Sequence, residues 1–365
     1  MVSGITLYLL GALVSQQGVG PFTLAQARPV RLDVVEHHEP LEVEPEPDSL
    51  LKLVLPPENG GVERVANETL GFQKVFAVNL PERSDKTDAL TLMAALTGFK
   101  IDWIGGVKSK EISLKAVPFG VNLGKTEGNL LGNWRGHMNA RRRVVELGLS
   151  SALILEDDVD WDVNIKNQLQ DVAFGARSVL FEEFSDTTHS PYGDDWDILW
   201  LGHCGDWFPE TLYENQDLDK PAESRISAKY IIPIDPTVPP LHKLSGRINW
   251  LEWEPQTHFI HRSAAPLCSF AYAVTQEAAR KLLYAMSVDG LHTDFLHSLS
   301  RVCQDSVRGF ATKQTKVNYG LRCVSVNPTM IFHHKPRGLM EGDTDANTYG
   351  INGGVREEGF TESVV

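Results

Sequence analysis

The sequence has few cysteines, no long hydrophobic run and no excess of positive charge. Its 365 residues include four cysteines, at positions Cys204, Cys268, Cys303 and Cys323. None belongs to a CxxC pair, which argues against a zinc site of that type. Four cysteines in a chain of this length do not form a disulfide scaffold, and they leave both possibilities open, two disulfides or none.

The charge balance is acidic, with 34 basic and 48 acidic residues and a net charge of -14. Sequence-independent nucleic-acid binding depends on lysine and arginine contacts to phosphates, so we expect no nucleic-acid partner. Hydrophobic residues make up 42% and charged residues 22% of the chain. This usage is ordinary for globular proteins and allows a sizeable core.

An apolar run of ten residues, Ile5 to Val14, lies near the N-terminus. It is too short for an ordinary membrane span but long enough for the core of a signal peptide. Ala25 and Ala27 form a small-x-small cleavage pattern, although the usual basic residues before the run are missing. We interpret residues 1–27 as a signal peptide or signal-anchor-like segment, the alternative being a disordered tail. A glycosylation sequon at Asn67 agrees with entry into the secretory pathway, and any membrane attachment would be through this segment.

Composition divides the rest of the chain into three parts. Residues 28–68 are rich in proline and glutamate, which favours an extended, solvated linker. Residues 69–340 carry the patterns of a folded domain. Residues 341–365 contain five glycines and are expected to form a flexible C-terminal tail.

Hydrophobic patterns predict a single-domain α/β fold. A strand at Val75–Leu80, a helix over 86–97 and a strand at Ile101–Ile104 give the strand–helix–strand order of a parallel sheet. The helical pattern consists of leucines 90, 92 and 96 together with Met93. Further strands are predicted at 151–155, 196–201 and 323–326, and further helices at 133–147, with arginines 141 to 143 facing solvent, and after a Thr275 cap. We therefore expect a Rossmann-like, mixed but mostly parallel sheet flanked by helices.

An acidic cluster follows the predicted strand at 151–155 directly. Its five members are Glu156, Asp157, Asp158, Asp160 and Asp162. Ligands of open α/β sheets bind at the carboxyl ends of the strands, and carboxylates there can hold Mg²⁺ or Mn²⁺ with a substrate diphosphate. Asp158 and Asp160 are two residues apart, so in an extended chain their side chains point the same way and can share one cation. The alternative is an acidic loop without a metal.

Four blocks in fixed order resemble glycosyltransferase family 25, which includes lipopolysaccharide and collagen galactosyltransferases. They are VFAVNLPERSDK (75–86), the segment 132–160 with Gly136-His137 and LILEDDVD, WDILWLG (196–202) and AYAVTQEAARKLL (271–283). The resemblance covers roughly residues 72–335. One departure is Gly136, because the family commonly has serine before this histidine.

The resemblance implies a GT-A type fold, a divalent metal (Mn²⁺ or Mg²⁺), and inverting transfer from a nucleotide sugar, often UDP-galactose, to a glycan or glycoprotein acceptor. It points to Asn79, Arg83, Asp85 and Asp157 as candidate nucleotide-binding residues. The candidate metal ligands are Asp158, Asp160 and His333. Asp294 is the candidate base that takes the acceptor's proton, with His292 and His297 as alternatives.

Several residues keep a second interpretation. Arg83 could bind diphosphate or form a salt bridge to Asp85 or Glu82. Asp206 could contact donor or acceptor or serve as a turn residue, and tryptophans 207, 250 and 253 could stack on a sugar or simply pack. Two other functions also remain open: a metal-dependent phosphohydrolase, and a sugar- or nucleotide-binding protein without catalysis.

Overall fold

A computed structural model describes residues 61–121, 130–180, 188–216, 226–291, 295–307, 318–340, 343 and 354–362. Its main element is an eight-stranded sheet. In chain order its strands are β1 (Lys74–Asn79), β2 (Asp102–Gly105), β3 (Ser151–Glu156), β5 (Ile198–Gly202), β6 (Lys229–Ile232), β7 (His258–Arg262), β8 (Ala271–Thr275) and β9 (Cys323–Asn327), and β4 (Val159–Trp161) belongs to a second sheet. Across the main sheet the strand order is β2-β1-β3-β8-β5-β9-β7-β6.

The sheet is mixed, as the sequence predicts, but it is not mostly parallel when its pairings are counted. Three of the seven pairings are parallel, those of β1 with β2, β1 with β3 and β5 with β9. The other four are antiparallel because β8 lies between β3 and β5, and β7 between β9 and β6. Six strands nevertheless run in one direction, and β7 and β8 run in the other.

Helices cover both faces of the sheet. They are α1 (Ser84–Thr97), α2 (Leu130–Glu146), α3 (Ile165–Leu180), α4 (Gln276–Leu283) and α5 (Phe295–Val307). Strand side chains alternate between the faces, so Leu153 and Leu155 pack with α1 and α3, while Ala152 and Ile154 pack with α2, α4 and α5. The predicted cap of α4 is confirmed, since the Thr275 hydroxyl accepts a hydrogen bond from the Ala278 amide at 3.2 Å.

Two helical faces differ from the prediction. On α1, Leu90 is buried, but Leu92 and Leu96 are 71% and 77% exposed, because α1 packs on the sheet through Leu90 and Ala94. On α2, Arg141 is fully buried instead of facing solvent. Helical geometry separates neighbouring side chains by about 100°, so three consecutive arginines cannot all share one face.

A small second sheet lies beside the end of β3. It consists of β4 (Val159–Trp161), β10 (Ile331–Lys335) and β13 (Phe360–Glu362), with β10 in the middle. A further two-stranded sheet joins β11 (Gly338–Leu339) to β12 (Val355–Arg356). The residues of β12 and β13 therefore form strands in a range expected to be a tail. Similarly, a 3-10 helix at Val62–Ala66 with two buried valines occupies part of the range expected to be a linker.

All four cysteines form disulfides, which settles the question that the sequence left open. Cys204 pairs with Cys268, and Cys303 pairs with Cys323. The first bond joins the loop after β5 to the segment before β8, and the second joins α5 to β9. Disulfides persist in oxidising compartments, so both bonds are consistent with a lumenal or secreted location. Among the described residues, no helix is long and apolar enough to cross a membrane.

Candidate metal centre

The carboxyl ends of β1, β3 and β5 meet at one edge of the main sheet, and the chain enters the antiparallel β8 at that same edge. Asn79 ends β1 and Glu156 ends β3. Ser269 and Phe270 come just before β8. Strand β10 brings His333 alongside because it pairs with β4, where His333 lies opposite Val159. Residues distant in sequence thereby reach the edge where α/β sheets bind ligands.

Three side chains at this edge could hold a metal ion: Glu156, Asp158 and His333. One ligand atom from each lies within 4.8 Å of the others. Glu156 Oε2 is 4.0 Å from His333 Nε2. The Phe270 ring packs against the His333 ring with centroids 4.2 Å apart. We call these three residues the ligand group.

The donor chemistry of the ligand group fits a divalent cation. Carboxylates suit Mg²⁺ and Mn²⁺, whereas imidazole is a ligand typical of transition-metal ions. The Nε2 atom of His333 is buried and has no hydrogen-bond partner among the described residues, as expected for an atom whose partner is an ion. A divalent cation, when bound, would be held by these three side chains.

Asp160 was predicted to share the cation with Asp158, but it does not belong to the ligand group. Its carboxylate lies 3.6 Å from His334 Nδ1 and accepts a hydrogen bond from the Trp161 amide at 2.8 Å. The reason is local, since a turn at residues 157–158 interrupts the extended chain before β4 begins. The same turn places Asp158 beside Glu156.

Asn79 and Asp157, both predicted nucleotide contacts, are bonded to each other. Asn79 Nδ2 donates to Asp157 Oδ2 at 2.9 Å, and Lys86 Nζ donates to Asp157 Oδ1 at 2.7 Å. Lys86 Nζ also lies 3.6 Å from Asp158 Oδ2. Lys86 was not predicted from the sequence, and it places a buried positive charge beside the ligand group.

Arg83 and Asp85 form a two-point ion pair. Arg83 Nε donates to Asp85 Oδ1 at 3.0 Å, and a terminal guanidinium nitrogen donates to Oδ2 at 2.7 Å. This hydrogen bonding lowers the pKa of Asp85. Glu82, the other candidate partner of Arg83, pairs with Lys108. The structure therefore shows the salt bridge between Arg83 and Asp85. Binding of a diphosphate by Arg83 stays a prediction.

Glu156 is held by groups beyond the ligand group. Its Oε1 accepts a hydrogen bond from Ser269 Oγ at 2.8 Å and lies 3.3 Å from His137 Nε2. Burial alone would raise the pKa of Glu156, but the hydrogen bonds from His137 and Ser269 and the nearness of His333 outweigh it and lower the pKa. Burial lowers the pKa of His137 and favours the neutral ring.

Close packing of α2 on the sheet explains Gly136, the departure from the family pattern. A Cβ atom at this position would lie 2.6 Å from Val78 Cγ1 on β1. The absence of a side chain lets the helix approach the strand. His137, the next residue, consequently reaches Glu156 from a position that is 1% exposed.

The predicted base, Asp294, and its alternative His292 lie outside the described residues. Phe295, the next residue along the chain, stacks on His137 with ring centroids 5.0 Å apart. The remaining alternative, His297, belongs to α5. Neither the base nor its alternatives are assigned by the structure.

The remaining candidates, Asp206 and the three tryptophans, make contacts within the protein. Asp206 is fully buried and accepts hydrogen bonds from the hydroxyls of Ser263 and Ser325, each at 2.7 Å. Trp250 and Trp253 pack on Phe259. Trp207 lies under the Arg247 guanidinium, 5.4 Å from ring centroid to carbon. Asp206 is therefore not simply a turn residue, because its buried carboxylate joins neighbouring segments by hydrogen bonds.

Sequence reasoning did not single out Glu156 as a candidate metal ligand, nor the residues that hold it. The available signal was its place in the acidic cluster, at the end of the predicted strand 151–155. His137 stood in a recognised block but carried no assigned role. Ser269 gave no signal, since its position depends on the antiparallel β8.

No protein-family model matches the chain. Over 149 residues the chain is 28% identical to procollagen galactosyltransferase 1 from Danio rerio. The match covers 37% of this chain and 22% of that relative's length. The chain is thus a distant homologue of a galactosyltransferase, and this relationship suggests a glycosyltransferase.

Proposed function

We propose that the chain is a metal-dependent glycosyltransferase of family 25 with a GT-A type fold. It transfers a hexose, with galactose favoured, from a UDP-sugar to a hydroxyl of a glycan or glycoprotein acceptor. The observation that carries this proposal is the ligand group at the carboxyl end of β3, in a chain with a galactosyltransferase relative.

The chemistry requires one bond to form as another breaks. The acceptor oxygen attacks the anomeric carbon from the face opposite the diphosphate, and the bond from that carbon to the diphosphate oxygen breaks. UDP leaves with the bonding electron pair, and a base takes the acceptor's proton. The cation, when bound, supplies positive charge that stabilises the departing diphosphate.

The described residues divide into two roles in this proposal. Glu156, Asp158 and His333 hold the cation. Lys86 places a positive charge at the same edge. This charge pairs with Asp157 and Asp158 and also favours binding of an anionic ligand. Asp294 remains the proposed base, because it is the acidic residue that the family resemblance points to. The donor sugar and the inverting outcome rest on that resemblance.

We further propose a location in the secretory pathway. The two disulfides support it, as does the exposed position of Asn67 in the sequon. The Asn67 side-chain oxygen accepts hydrogen bonds from the amides of Thr69 and Gly71, each at 2.9 Å. Glycosylation of Asn67 would support this location. It would be detected as additional mass that treatment with an N-glycanase removes.

The direct test is release of UDP from UDP-galactose in the presence of hydroxyl acceptors, with Mn²⁺ and with EDTA. We expect Asp158→Asn to lower the rate by about 100-fold, because it removes a charged ligand of the cation. Asp162→Asn is the matched control. Asp162 belongs to the same acidic segment, but among the described residues its carboxylate accepts a hydrogen bond from the Asn164 amide at 2.8 Å and is not in the ligand group. It should keep the wild-type rate.

Other results would favour other functions. UDP binding without release of sugar, over a broad panel of donors and acceptors, would indicate a nucleotide-binding protein. Release of inorganic phosphate would indicate a phosphohydrolase. A rate that is unchanged by EDTA would contradict the metal-dependent proposal.

A further inference from the structure

Arg141 is an arginine in an apolar environment. It is fully buried, and one of its terminal nitrogens lies 3.4 Å and 3.3 Å from the sulfur atoms of Met138 and Met286. No carboxylate forms an ion pair with it in the part of the chain that the structure describes. Burying a charge without a counterion costs several kcal/mol in ordinary cases. The position therefore calls for an explanation beyond packing.

The other terminal nitrogen of Arg141 begins a series of hydrogen bonds that ends at the ligand group. It donates to the Tyr272 hydroxyl oxygen at 3.0 Å. The same hydroxyl lies 3.0 Å from His137 Nδ1, and His137 Nε2 lies 3.3 Å from Glu156 Oε1. The other carboxylate oxygen of Glu156, Oε2, faces His333 and lies 4.0 Å from its Nε2.

The direction of these bonds follows from the chemistry of the two ends. A guanidinium can only donate, and an ionised carboxylate can only accept. The Tyr272 oxygen must therefore accept from Arg141, which leaves its O–H to donate to His137 Nδ1. A neutral His137 ring then carries its proton on Nε2 and donates it to Glu156. Every donor in the series points towards the ligand group.

Aromatic packing keeps these side chains in place. The His137 ring stacks between Phe295 and Tyr272, with centroid distances of 5.0 Å and 5.7 Å. The Arg141 guanidinium carbon lies 5.3 Å from the Tyr272 ring centroid and 5.2 Å from that of Phe295. The rings come from three elements, α2, β8 and α5, so the series depends on the assembled fold.

We infer that Arg141, Tyr272 and His137, here called the buried network, are positioning residues that orient Glu156 as a metal ligand. The network holds Oε1 by a fixed donor, so that Oε2 faces His333 and Asp158. Such partners behind a ligand commonly change metal affinity by 10- to 100-fold. This inference rests on the proposed metal centre.

The first test measures Mn²⁺ affinity of the full chain by the electron paramagnetic resonance signal of free Mn²⁺. Tyr272→Phe removes one hydroxyl and keeps the ring, and we expect it to weaken Mn²⁺ binding by about tenfold. Tyr192→Phe is the matched control. Tyr192 is also fully buried, and its hydroxyl donates to the Leu70 carbonyl at 2.7 Å, within the core on the α1 and α3 face. It should leave Mn²⁺ affinity unchanged.

The second test separates positioning from structural support. Arg141→Met should weaken Mn²⁺ binding without lowering the thermal midpoint, because a buried charge without a counterion itself costs stability and the variant removes it. Arg177→Met serves as its control and should leave Mn²⁺ affinity unchanged. Arg177 is also buried, but it lies on α3 and donates to Thr188 Oγ1 at 2.8 Å. The double variant of Tyr272→Phe and Arg141→Met should bind Mn²⁺ about as weakly as Arg141→Met alone, because both act through one series.

The outcomes distinguish this inference from the proposed function. Wild-type Mn²⁺ binding with unchanged affinity in Tyr272→Phe and Arg141→Met would overturn the inference and leave the metal centre intact. Equal losses in Tyr192→Phe and Tyr272→Phe would also overturn it, since the effect would then come from general destabilisation. Absence of Mn²⁺ binding by the folded wild type would overturn both.

Discussion

Lys86 Nζ lies 2.7 Å from Asp157 Oδ1, and this ion pair joins the start of α1 to the turn that carries Asp158. Both side chains are about nine-tenths buried. Removing one member of such a pair leaves a buried charge, which costs about 3 kcal/mol or more. The pair therefore fixes the acidic turn relative to α1.

The first prediction concerns this ion pair. Lys86→Met should lower the free energy of unfolding by about 3 kcal/mol, measured by urea denaturation. The double variant Lys86→Met, Asp157→Leu removes both charges and should recover most of that loss. If the double variant were less stable than Lys86→Met, the pair would not be the source of the effect.

A second prediction compares the stability effects of two of the three leucines that the sequence pattern grouped together on α1. Leu90→Ala should destabilise the protein by about 3 kcal/mol, because Leu90 is buried against the sheet. Leu92→Ala, on the same helix, should change stability by no more than about 0.5 kcal/mol. Equal losses in urea denaturation would show that α1 packs by a different face.

A third prediction concerns acid stability. His203 Nε2 donates to the Val326 carbonyl at 2.8 Å, and Nδ1 accepts from the Gly205 amide at 2.9 Å, so the neutral ring uses both nitrogens. The pKa of His203 is lowered to about 4, chiefly by burial and to a smaller extent by the nearby charges of His261 and Arg247, which together outweigh the opposing effect of Asp206. The unfolded chain binds this proton near pH 6.5, and the folded chain binds it near pH 4.

Stability should therefore fall as the pH drops from about 6.5 to about 4. The His203 contribution to this fall is about 3 kcal/mol at most, at 1.4 kcal/mol per pKa unit. His203→Gln should be less stable at pH 7 but should lose less stability over this pH range. Identical slopes for the wild type and His203→Gln in urea denaturation would rule out His203 as the cause.

A fourth prediction compares the two disulfides. Loop-closure entropy gives about 4 kcal/mol for Cys204–Cys268, which are 64 residues apart, and about 3 kcal/mol for Cys303–Cys323, which are 20 apart. Replacing both cysteines of either bond by alanine should lower stability by roughly these amounts. Only the first replacement should also weaken Mn²⁺ binding, because Cys268 precedes Ser269, which holds Glu156. Equal Mn²⁺ affinity in the two variants would contradict this link.

Local patterns were enough to predict most of the central strands and helices. The β1–α1–β2 unit and the β3 strand follow from continuous apolar runs and from the proline, glycine or acidic residues that end them. The parallel pairing of β1 with β2 and with β3 is confirmed. The antiparallel position of β8 could not be predicted in this way, because pairing partners are chosen by the whole sheet. Exposure of Leu92 similarly depends on how α1 is rotated against the sheet.

Part of the candidate site could be inferred from the sequence for the same reason. Asp158 and His333 lie close together, although only tertiary structure could show that β10 pairs with β4. Glu156 lies with them and Asp160 does not, because a turn at residues 157–158 interrupts the extended chain. His137, Tyr272 and Arg141 converge on Glu156 from separate elements, and no spacing in the sequence encodes that convergence.

The central claim is most directly tested by calorimetric titration of UDP into the full chain, with Mn²⁺ and with EDTA. The wild type and Asp162→Asn should bind UDP only when Mn²⁺ is present, and folded Asp158→Asn should lose this binding. UDP binding of equal strength in EDTA, or in Asp158→Asn, would contradict a metal-dependent donor site built on the ligand group.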